Sequence, residues 1–321
     1  MLCPWSGSIV ASAIPATLPR LPMRNDPVTL FLNPAAGRGR ARKRARAIVE
    51  LLAAEGLAVK VVESSRLGDL EDRVRDHASA GPAPFVVAGG DGSVHEAVNG
   101  ILAAGACNPF GLIPVGTGND FAKACGIPLD WEHAATMLAR RIADRAPARK
   151  IDAGRMNQRY FANGVGIGFD AKVNRIARKY RWPIGDLVYL VAVIEGLWDG
   201  VITPDVTMRF DGSEYRGGIT LANVSNGAWV GGMFHIAPSA VNDDGRFDLV
   251  YALPVTRRRA LVLLPKLISG RHIGEPDIRE ARVTSFELIA DAPVPSHLDG
   301  ETQPLMTEFR IELLGDALAV I

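Results

Sequence analysis

The sequence has few cysteines, no long apolar run and almost no net charge. Its three cysteines, Cys3, Cys107 and Cys125, are scattered without a CxxC spacing, which argues against a disulfide framework and against a thiolate metal site. The densest apolar stretch, residues 187–194, is far too short to cross a bilayer. A net charge of +1 gives no overall attraction to nucleic acid or to a membrane. These absences predict a protein of the reducing cytoplasm.

Length and composition predict an ordinary globular protein with two domains. The chain has 321 residues, of which 48% are hydrophobic and 22% charged. Residues 1–22 differ from the rest, being apolar, rich in proline and small residues, and without helix or strand periodicity. A secretory signal would begin with basic residues, whereas Arg20 comes only at the end of this stretch. We therefore expect residues 1–26 to be a disordered leader, or the true start to lie at Met23.

The first half is organised around residues 85–96. Residues 85–88 are apolar and predict a strand buried on both faces, as in a parallel sheet. Three glycines within residues 89–92 allow a sharp turn into a helix, whose first N–H groups form a site for phosphate. Asp91 lies in this turn, where its charge would repel phosphate unless a metal ion or a transferable proton lay between them. The stretch therefore indicates phosphoryl transfer rather than simple anion binding.

Strands and helices alternate throughout the first half. We expect strands at residues 28–32, 58–62, 85–88 and 110–114, and helices at residues 41–55, 69–79 and 94–104. Three of these strands are followed by polar, glycine-rich loops at residues 33–39, 89–93 and 115–120. The alternation predicts a doubly wound, Rossmann-like parallel α/β sheet. In such a sheet, loops at the carboxyl ends of the strands line the ligand crevice.

The second half predicts a β-rich, sandwich-like or barrel-like domain. Short strands separated by glycine and aspartate turns are expected at residues 159–162, 206–210, 215–224, 247–253, 282–289 and 309–313. Two helices are expected between them, near residues 187–198 and 257–267. We therefore place an α/β domain at residues 27–147 and a β-rich domain at residues 148–321.

Five motifs, in the same order along the chain, resemble the catalytic domain of the diacylglycerol kinase family, which includes soluble bacterial lipid kinases and the sphingosine and ceramide kinases. They lie at residues 33–37, 89–96, 116–122, 243–248 and 299–301. The resemblance extends from about residue 27 to the end of the chain. It implies a nucleotide domain followed by a β-rich domain, an active site in the cleft between them, and final residues that pack back on the first domain.

The resemblance also implies ATP and Mg²⁺ as cofactors and a lipid hydroxyl as the phosphate acceptor. Glu301 is the first candidate for general base and Asp91 the competing one, and the sequence leaves this choice open. Asp244 would hold Mg²⁺ through its side chain, with Val241 and Arg246 offering backbone carbonyls. The implied nucleotide-binding residues are Asn33, Gly37, Ser64, Gly89, Gly90, Asp91, Gly92, Ser93, Glu96, Thr117, Asn119 and Asp120.

Asp170 and His297 receive a plain structural interpretation, and His95 departs from the resembled family. His95 stands where many members of the resembled family carry asparagine, which leaves the fine nucleotide contacts open. Asp170 follows a glycine-rich strand and is interpreted as a turn residue. His297 is interpreted as a loop or packing histidine, although it lies close to Glu301 in the sequence.

The expected activity is transfer of the ATP γ-phosphate to diacylglycerol or a related lipid. A kinase for NAD or another small polyol is the alternative among enzymes, because such kinases share the glycine loops. A nucleotide-binding regulatory module that has lost turnover is the alternative from another class. The joint presence of Asp91, Asp244 and Glu301 favours a working lipid kinase.

Two basic clusters bear on the partners. The arginines and lysine between residues 38 and 46 have no interleaved aromatic residues, which favours a solvated helix face, so no nucleic-acid partner is expected. Three arginines at residues 257–259 precede an apolar segment, and they predict either peripheral contact with an anionic membrane or a packed helix with a charged start. We expect a cytoplasmic protein that contacts the membrane transiently. The sequence leaves open whether the chain forms a homodimer.

Overall fold

The computed structural model describes residues 27–180 and 187–321, so the expected leader at residues 1–26 lies outside the described residues. The strands are β1 (Val28–Leu32), β2 (Val59–Glu63), β3 (Phe85–Gly89), β4 (Pro109–Pro114), β5 (Arg149–Met156), β6 (Arg159–Phe161), β7 (Gly164–Gly168), β8 (Asp205–Phe210), β9 (Ser213–Gly218), β10 (Leu221–Ser225), β11 (Phe247–Ala252), β12 (Ile278–Val283), β13 (Ser285–Val294), β14 (Ser296–Leu298), β15 (Glu301–Thr302) and β16 (Met306–Val320). The helices are α1 (Ala36–Ala54), α2 (Asp69–Ala80), α3 (Asp91–Ala103), α4 (Asp120–Ala124), α5 (Trp131–Ala143), α6 (Phe169–Ala177), α7 (Leu187–Asp199) and α8 (Arg257–Ile268).

The first half is a doubly wound parallel sheet with strand order β2-β1-β3-β4. Side chains alternate between its faces: Leu30 and Leu32 pack with α1 and α5, whereas Phe31 packs with α2 and α3 on the other side. Helices thus cover both faces, which explains why β3 is apolar along its whole length. The predicted Rossmann-like α/β fold is confirmed.

The second half contains two antiparallel layers that pack face to face. One is the six-stranded sheet β12-β11-β10-β7-β14-β15, and the other is formed by β16, β13, β8 and β9. Their shared core includes Val165 and Phe247 from the first layer and Met208, Phe286 and Phe309 from the second. Helices α6, α7 and α8 cover the outer face of the six-stranded sheet. This arrangement confirms the predicted β-sandwich-like second half.

Strand β16 connects the two halves. Most of it pairs antiparallel with β13 and β5 of the second half. Its last residues, Ala319 and Val320, pair parallel with β4, and the N–H of Ile321 donates to the carbonyl of Phe110 at 3.0 Å. The final residues therefore extend the parallel sheet of the first half into the second.

Several expected elements differ in detail from the observed ones. The single strand expected at residues 215–224 is two strands, β9 and β10, which lie in different sheets. The strand expected at residues 282–289 is likewise divided at Thr284 between β12 and β13. In both places the chain crosses from one layer to the other. Across the described ranges, no helix has the length and hydropathy needed to span a membrane.

Candidate active site

A cavity of about 210 Å³ lies between the two halves and is lined by polar residues from both. We call it the acidic cavity. The first half contributes the start of α3, the loop after β4 and the start of α4. The second half contributes the turn between β6 and β7, the residue after α6, helix α7, the segment after β10, and the β14–β15 hairpin. Its polar side chains include Asp91, Thr117, Asp120, Asn163, Arg178, Tyr189, His297, Asp299 and Glu301.

Close backbone approach explains the glycines of the loops after β3 and β4. A Cβ on Gly116 would lie 2.5 Å from Cα of Gly90, so the two loops touch through their backbones. A Cβ on Gly89 would lie 2.3 Å from Oγ of Ser93, in the first turn of α3. Gly37 has a φ of +59° and packs against the carbonyl of Val115, which a Cβ would approach to 2.0 Å. Larger residues at these positions would force the three loops apart.

Two buried carboxylates face the acidic cavity from the first half. Asp91 begins α3, and its Oδ1 accepts a hydrogen bond from the N–H of Phe121 at 3.1 Å. Burial raises the pKa of Asp91 to about 7, and repulsion from Asp120 adds to this rise. Asp120 begins α4 and accepts hydrogen bonds from the N–H of Gly232 and from Lys123. A cation placed beside these two carboxylates would relieve their repulsion.

Glu301 enters the acidic cavity from the second half. Its Oε1 lies 2.9 Å from the position that a Cβ on Gly92 would occupy, so the carboxylate rests directly against the start of α3. Its Oε2 forms an ion pair with Arg178, at the C-terminal end of α6. Asp91 and Glu301, the two candidate bases, therefore share one cavity although they lie in different halves of the chain.

Asp299 holds the hairpin that carries Glu301. It accepts backbone hydrogen bonds from Ala162, Asn163 and Gly164 at 2.8–3.0 Å, and it pairs with Nδ1 of His95 at 3.0 Å. Burial alone would raise the pKa of Asp299, but the bond from His95 and these N–H groups hold it below its usual value. The residue adopts a φ of +50°, a backbone conformation that its several hydrogen bonds stabilise.

Four expected nucleotide residues form a polar rim beside the glycine loops. Asn33 donates from Nδ2 to Oγ of Ser93 at 3.2 Å, linking the loop after β1 to α3. Thr117 lines the acidic cavity, and Oδ1 of the nearby Asn119 is buried without a hydrogen-bond partner among the described residues. Arg40 donates to the carbonyl of Gly116 at 2.8 Å and brings a guanidinium to this rim.

Two other expected nucleotide residues have different surroundings. Glu96 accepts hydrogen bonds at Oε2 from the N–H groups of Leu70 and Glu71, so its carboxylate caps the start of α2 instead of lining the acidic cavity. Ser64 follows β2 and is half-buried, and its N–H donates to the carbonyl of Leu32. The structure thus places Ser64 at the same sheet edge as Asn33.

The expected metal turn lies outside the acidic cavity. Asp244 accepts from the N–H of Arg246 at 3.1 Å and forms an ion pair with Arg282, while Val241 is half exposed. No cluster of three or more histidine, cysteine or acidic residues in the described part of the chain could hold a metal ion. Because a guanidinium already neutralises the carboxylate of Asp244, this turn as it stands is a poor fit for Mg²⁺.

A second, apolar cavity of about 120 Å³ adjoins the acidic one. It lies between the six-stranded sheet and helices α6, α7 and α8. Tyr189, Val230 and His297 line both cavities, so they form a shared wall. Because few CH₂-sized groups fit in such a volume, the apolar cavity could hold only part of a long alkyl chain.

Some of these residues give no clear signal in the sequence. Asp170 belongs to the first turn of α6 and lies 3.5 Å from His297, so its interpretation as a turn residue is wrong. Arg178 directly follows α6 and Tyr189 lies in the apolar helix α7, and neither belongs to one of the five motifs. The segment that contacts Asp120 is marked in the sequence by the pair Gly231 and Gly232. Both glycines have positive φ, and the N–H of Gly232 donates to Asp120.

Comparisons with known proteins agree with this architecture. Residues 27–155 match the family described as diacylglycerol kinase catalytic domain. Residues 163–321 match the family described as YegS C-terminal NAD kinase beta sandwich-like domain.

Individual relatives cover most of the chain. A diacylglycerol kinase of Mycobacterium tuberculosis (strain CDC 1551 / Oshkosh) is 31% identical over 267 residues, which span 81% of this chain and 84% of that protein. A diacylglycerol kinase of Bacillus subtilis (strain 168) is 28% identical, over 85% of this chain and 88% of that one. A crystal structure of a diacylglycerol kinase from Bacillus anthracis str. Sterne has a TM-score of 0.69 and covers 92% of this chain and 96% of its own, and at 24% identity it shows the shared fold. The chain belongs to the diacylglycerol kinase catalytic-domain family, with the β-sandwich domain of its YegS-type members.

Proposed function

We propose that this protein is an ATP- and Mg²⁺-dependent kinase that phosphorylates the hydroxyl of diacylglycerol or a closely related lipid. The observation that carries the proposal is the shared wall between the acidic and the apolar cavities. The acidic cavity supplies the polar groups needed for phosphoryl transfer, and the apolar cavity next to it suits an alkyl chain. A kinase for NAD or a small polyol would have no use for an apolar cavity beside its reacting groups.

The nucleotide site in this proposal lies at the glycine loops after β3 and β4. The start of α3 presents backbone N–H groups to phosphate, and Asn33, Ser93 and Thr117 add polar side chains at the rim. Asp91 and Asp120 are the residues that would hold Mg²⁺, which when bound neutralises charge on the phosphates. Repulsion from Asp120 still raises the pKa of Asp91 although Lys123 pairs with Asp120, so negative charge remains here for a cation to neutralise.

Glu301 would act as general base in this scheme. The lipid hydroxyl oxygen forms a bond to the γ-phosphorus, the bond from that phosphorus to the bridging oxygen breaks, and ADP leaves. The hydroxyl proton passes to the Glu301 carboxylate, which lies against Gly92 at the start of α3. Arg178 positions this carboxylate through their ion pair.

A membrane-facing surface would let the enzyme reach its lipid. Ile194 and Trp198 of α7 and Leu261 and Val262 of α8 are exposed, Trp198 to 83%, and we call these four residues the α7–α8 face. The end of α7 lies beside the start of α8, since a Cβ on Gly200 would be 3.5 Å from Nη2 of Arg257. Helices α7 and α8 also form part of the apolar cavity. Two exposed arginines at the start of α8, Arg257 and Arg258, border the face. Apolar side chains edged by arginines suit the surface of an anionic bilayer from which the enzyme works transiently.

A labelled-ATP assay tests the proposal. The purified protein is incubated with γ-labelled ATP and Mg²⁺, separately with diacylglycerol in mixed micelles, a sphingoid base and NAD. We expect label on diacylglycerol. Label on NAD alone would contradict the lipid proposal, and ATP binding with no transfer to any acceptor would support a regulatory module instead.

A further inference from the structure

His297 lies in the shared wall and has a ring nitrogen without a hydrogen bond. The residue is 1% exposed and lines both cavities. Its Nδ1 accepts a hydrogen bond from the N–H of Gly300 at 3.3 Å. Its Nε2 has no hydrogen-bond partner within the described ranges, although Oδ2 of Asp170 lies 3.5 Å away. One nitrogen is therefore used by the hairpin and the other is not.

The bond at Nδ1 fixes the tautomer of His297. A backbone N–H can donate to a ring nitrogen only if that nitrogen carries a lone pair, so the proton of the neutral ring is on Nε2. The unused nitrogen is thus an N–H donor. A buried donor without an acceptor costs free energy, and an acceptor oxygen on a bound molecule would recover it.

Gly166 of β7 has no side chain, and this leaves room for Nε2 of His297. A Cβ on Gly166 would lie 2.3 Å from Nε2 of His297 and 2.0 Å from Oδ2 of Asp170. Only glycine therefore allows β7 to pass beside the two side chains. Asp170 is held in turn by Asn223, whose Nδ2 donates to the same oxygen at 3.4 Å. Gly166 and Asn223 therefore hold Asp170 beside His297, at 3.5 Å and without a hydrogen bond to Nε2.

We propose that Nε2–H of His297 donates a hydrogen bond to an ester carbonyl oxygen of a glycerolipid, so that the enzyme prefers diacyl lipids to their ether-linked analogues. The inference rests on the proposed function. In a diacylglycerol, the free hydroxyl and the nearest ester lie on neighbouring carbons. Because His297 bonds to Gly300, directly before Glu301, a lipid with its hydroxyl at Glu301 and a chain in the apolar cavity passes its ester beside His297.

The chemistry of the ester matches this donor. An ester carbonyl accepts hydrogen bonds and donates none. It would therefore accept from Nε2–H and form no hydrogen bond with the Asp170 carboxylate. An ether analogue lacks the carbonyl and would leave the buried N–H without an acceptor. Discrimination of this kind arises when a site made for a hydrogen bond meets a substrate that cannot form it.

The test compares 1,2-dioleoylglycerol with its dialkyl ether analogue in mixed micelles of equal lipid content. For the wild type we expect kcat/KM to be about tenfold higher for the diacyl lipid. In His297→Leu this ratio should fall to near one, whereas His297→Gln, which keeps an N–H donor, should retain part of it. Tyr189→Phe removes the other polar donor of the shared wall and should leave the ratio unchanged.

Each result decides between distinct possibilities. If the wild type has equal kcat/KM values for the diacyl lipid and its ether analogue, the inference is overturned. This result needs no variant, so it is independent of whether His297→Leu folds. An unchanged ratio in His297→Leu, or a ratio lost in Tyr189→Phe instead, also overturns it while leaving the kinase intact. Failure of the wild type to phosphorylate either glycerolipid overturns the proposed function, and the inference with it.

Discussion

Nδ1 of His95 lies 3.0 Å from Oδ2 of Asp299, and both side chains are about 5% exposed. This contact joins α3, which carries Asp91, to the hairpin that carries Glu301. Because an ionised carboxylate can only accept a hydrogen bond, Nδ1 is the ring nitrogen that donates to Asp299. A buried, charge-assisted hydrogen bond thus links the start of the first half's α3 to the hairpin of the second half.

Loss of this bond should affect turnover more than nucleotide binding. In His95→Ala we expect kcat to fall about 10- to 100-fold, with KM for ATP within about twofold of the wild type, because the hairpin that orients Glu301 loses its anchor. The free energy of unfolding should fall by about 2–4 kcal/mol, since a buried carboxylate loses a partner. Steady-state kinetics and denaturant unfolding measure the two effects.

Asparagine provides the matched control at this position. Its amide can donate to Asp299, so His95→Asn should recover most of the lost kcat. If His95→Ala raises KM for ATP as much as it lowers kcat, His95 acts on nucleotide binding and does not position the base.

Replacement of Glu301, the proposed general base, should lower turnover without loss of nucleotide binding. We expect Glu301→Gln to lower kcat by about 10²- to 10⁴-fold, because glutamine keeps the shape of the side chain but cannot accept the hydroxyl proton. ATP affinity, measured by equilibrium binding, should stay close to that of the wild type. A normal kcat in Glu301→Gln would indicate that Asp91, and not Glu301, is the general base.

The raised pKa of Asp91 predicts a pH dependence. A carboxylate must be ionised to hold a cation, so kcat/KM for ATP should fall as the pH drops below about 7, the pKa to which burial and Asp120 raise Asp91. Asp120→Asn removes one cause of the raised pKa of Asp91. The inflection of kcat/KM should therefore move to lower pH, even if the maximal kcat/KM also changes. The exposed residue Asp76 supplies the control, since Asp76→Asn should leave the inflection in place. An inflection at the same pH in Asp120→Asn would refute this electrostatic coupling.

The α7–α8 face should bind anionic vesicles. We expect the double variant Arg257→Glu and Arg258→Glu to bind vesicles containing phosphatidylglycerol at least tenfold more weakly at low salt, because each arginine near the surface contributes about 1 kcal/mol. Cosedimentation measures the bound fraction. The control reverses the same number of charges on α1, at the exposed residues Arg42 and Lys43. Equal weakening in both double variants would mean that net charge alone, and not this face, governs binding.

Parts of this structure could be predicted from local sequence, and others could not. The turn around Asp91 is specified by its neighbours in the chain, so both the strand-to-helix turn and the doubly wound sheet follow from the pattern. The division between β9 and β10 escapes prediction because only the tertiary fold assigns the two strands to different layers. Glu96 shows the same limit, since its partners Leu70 and Glu71 lie 25–26 residues away.

The residues that complete the candidate site illustrate why long-range contacts are hard to predict. His297 and Asp170 are 127 positions apart by their numbers, and each has an ordinary local setting. Their meeting depends on β14 pairing with β7, and on a glycine at position 166 that only the folded sheet explains. Sequence periodicity reports which face is buried, but it does not report which buried polar groups meet.

The pairing of β16 with β4 has a consequence for biosynthesis. While a ribosome is still making the second half, the first half already has its four parallel strands but leaves β4 as an unpaired edge, open to association with other chains. The parallel sheet is therefore completed only after residues 319–321 have been synthesised. Removal of these three residues would damage the half of the protein that was synthesised first.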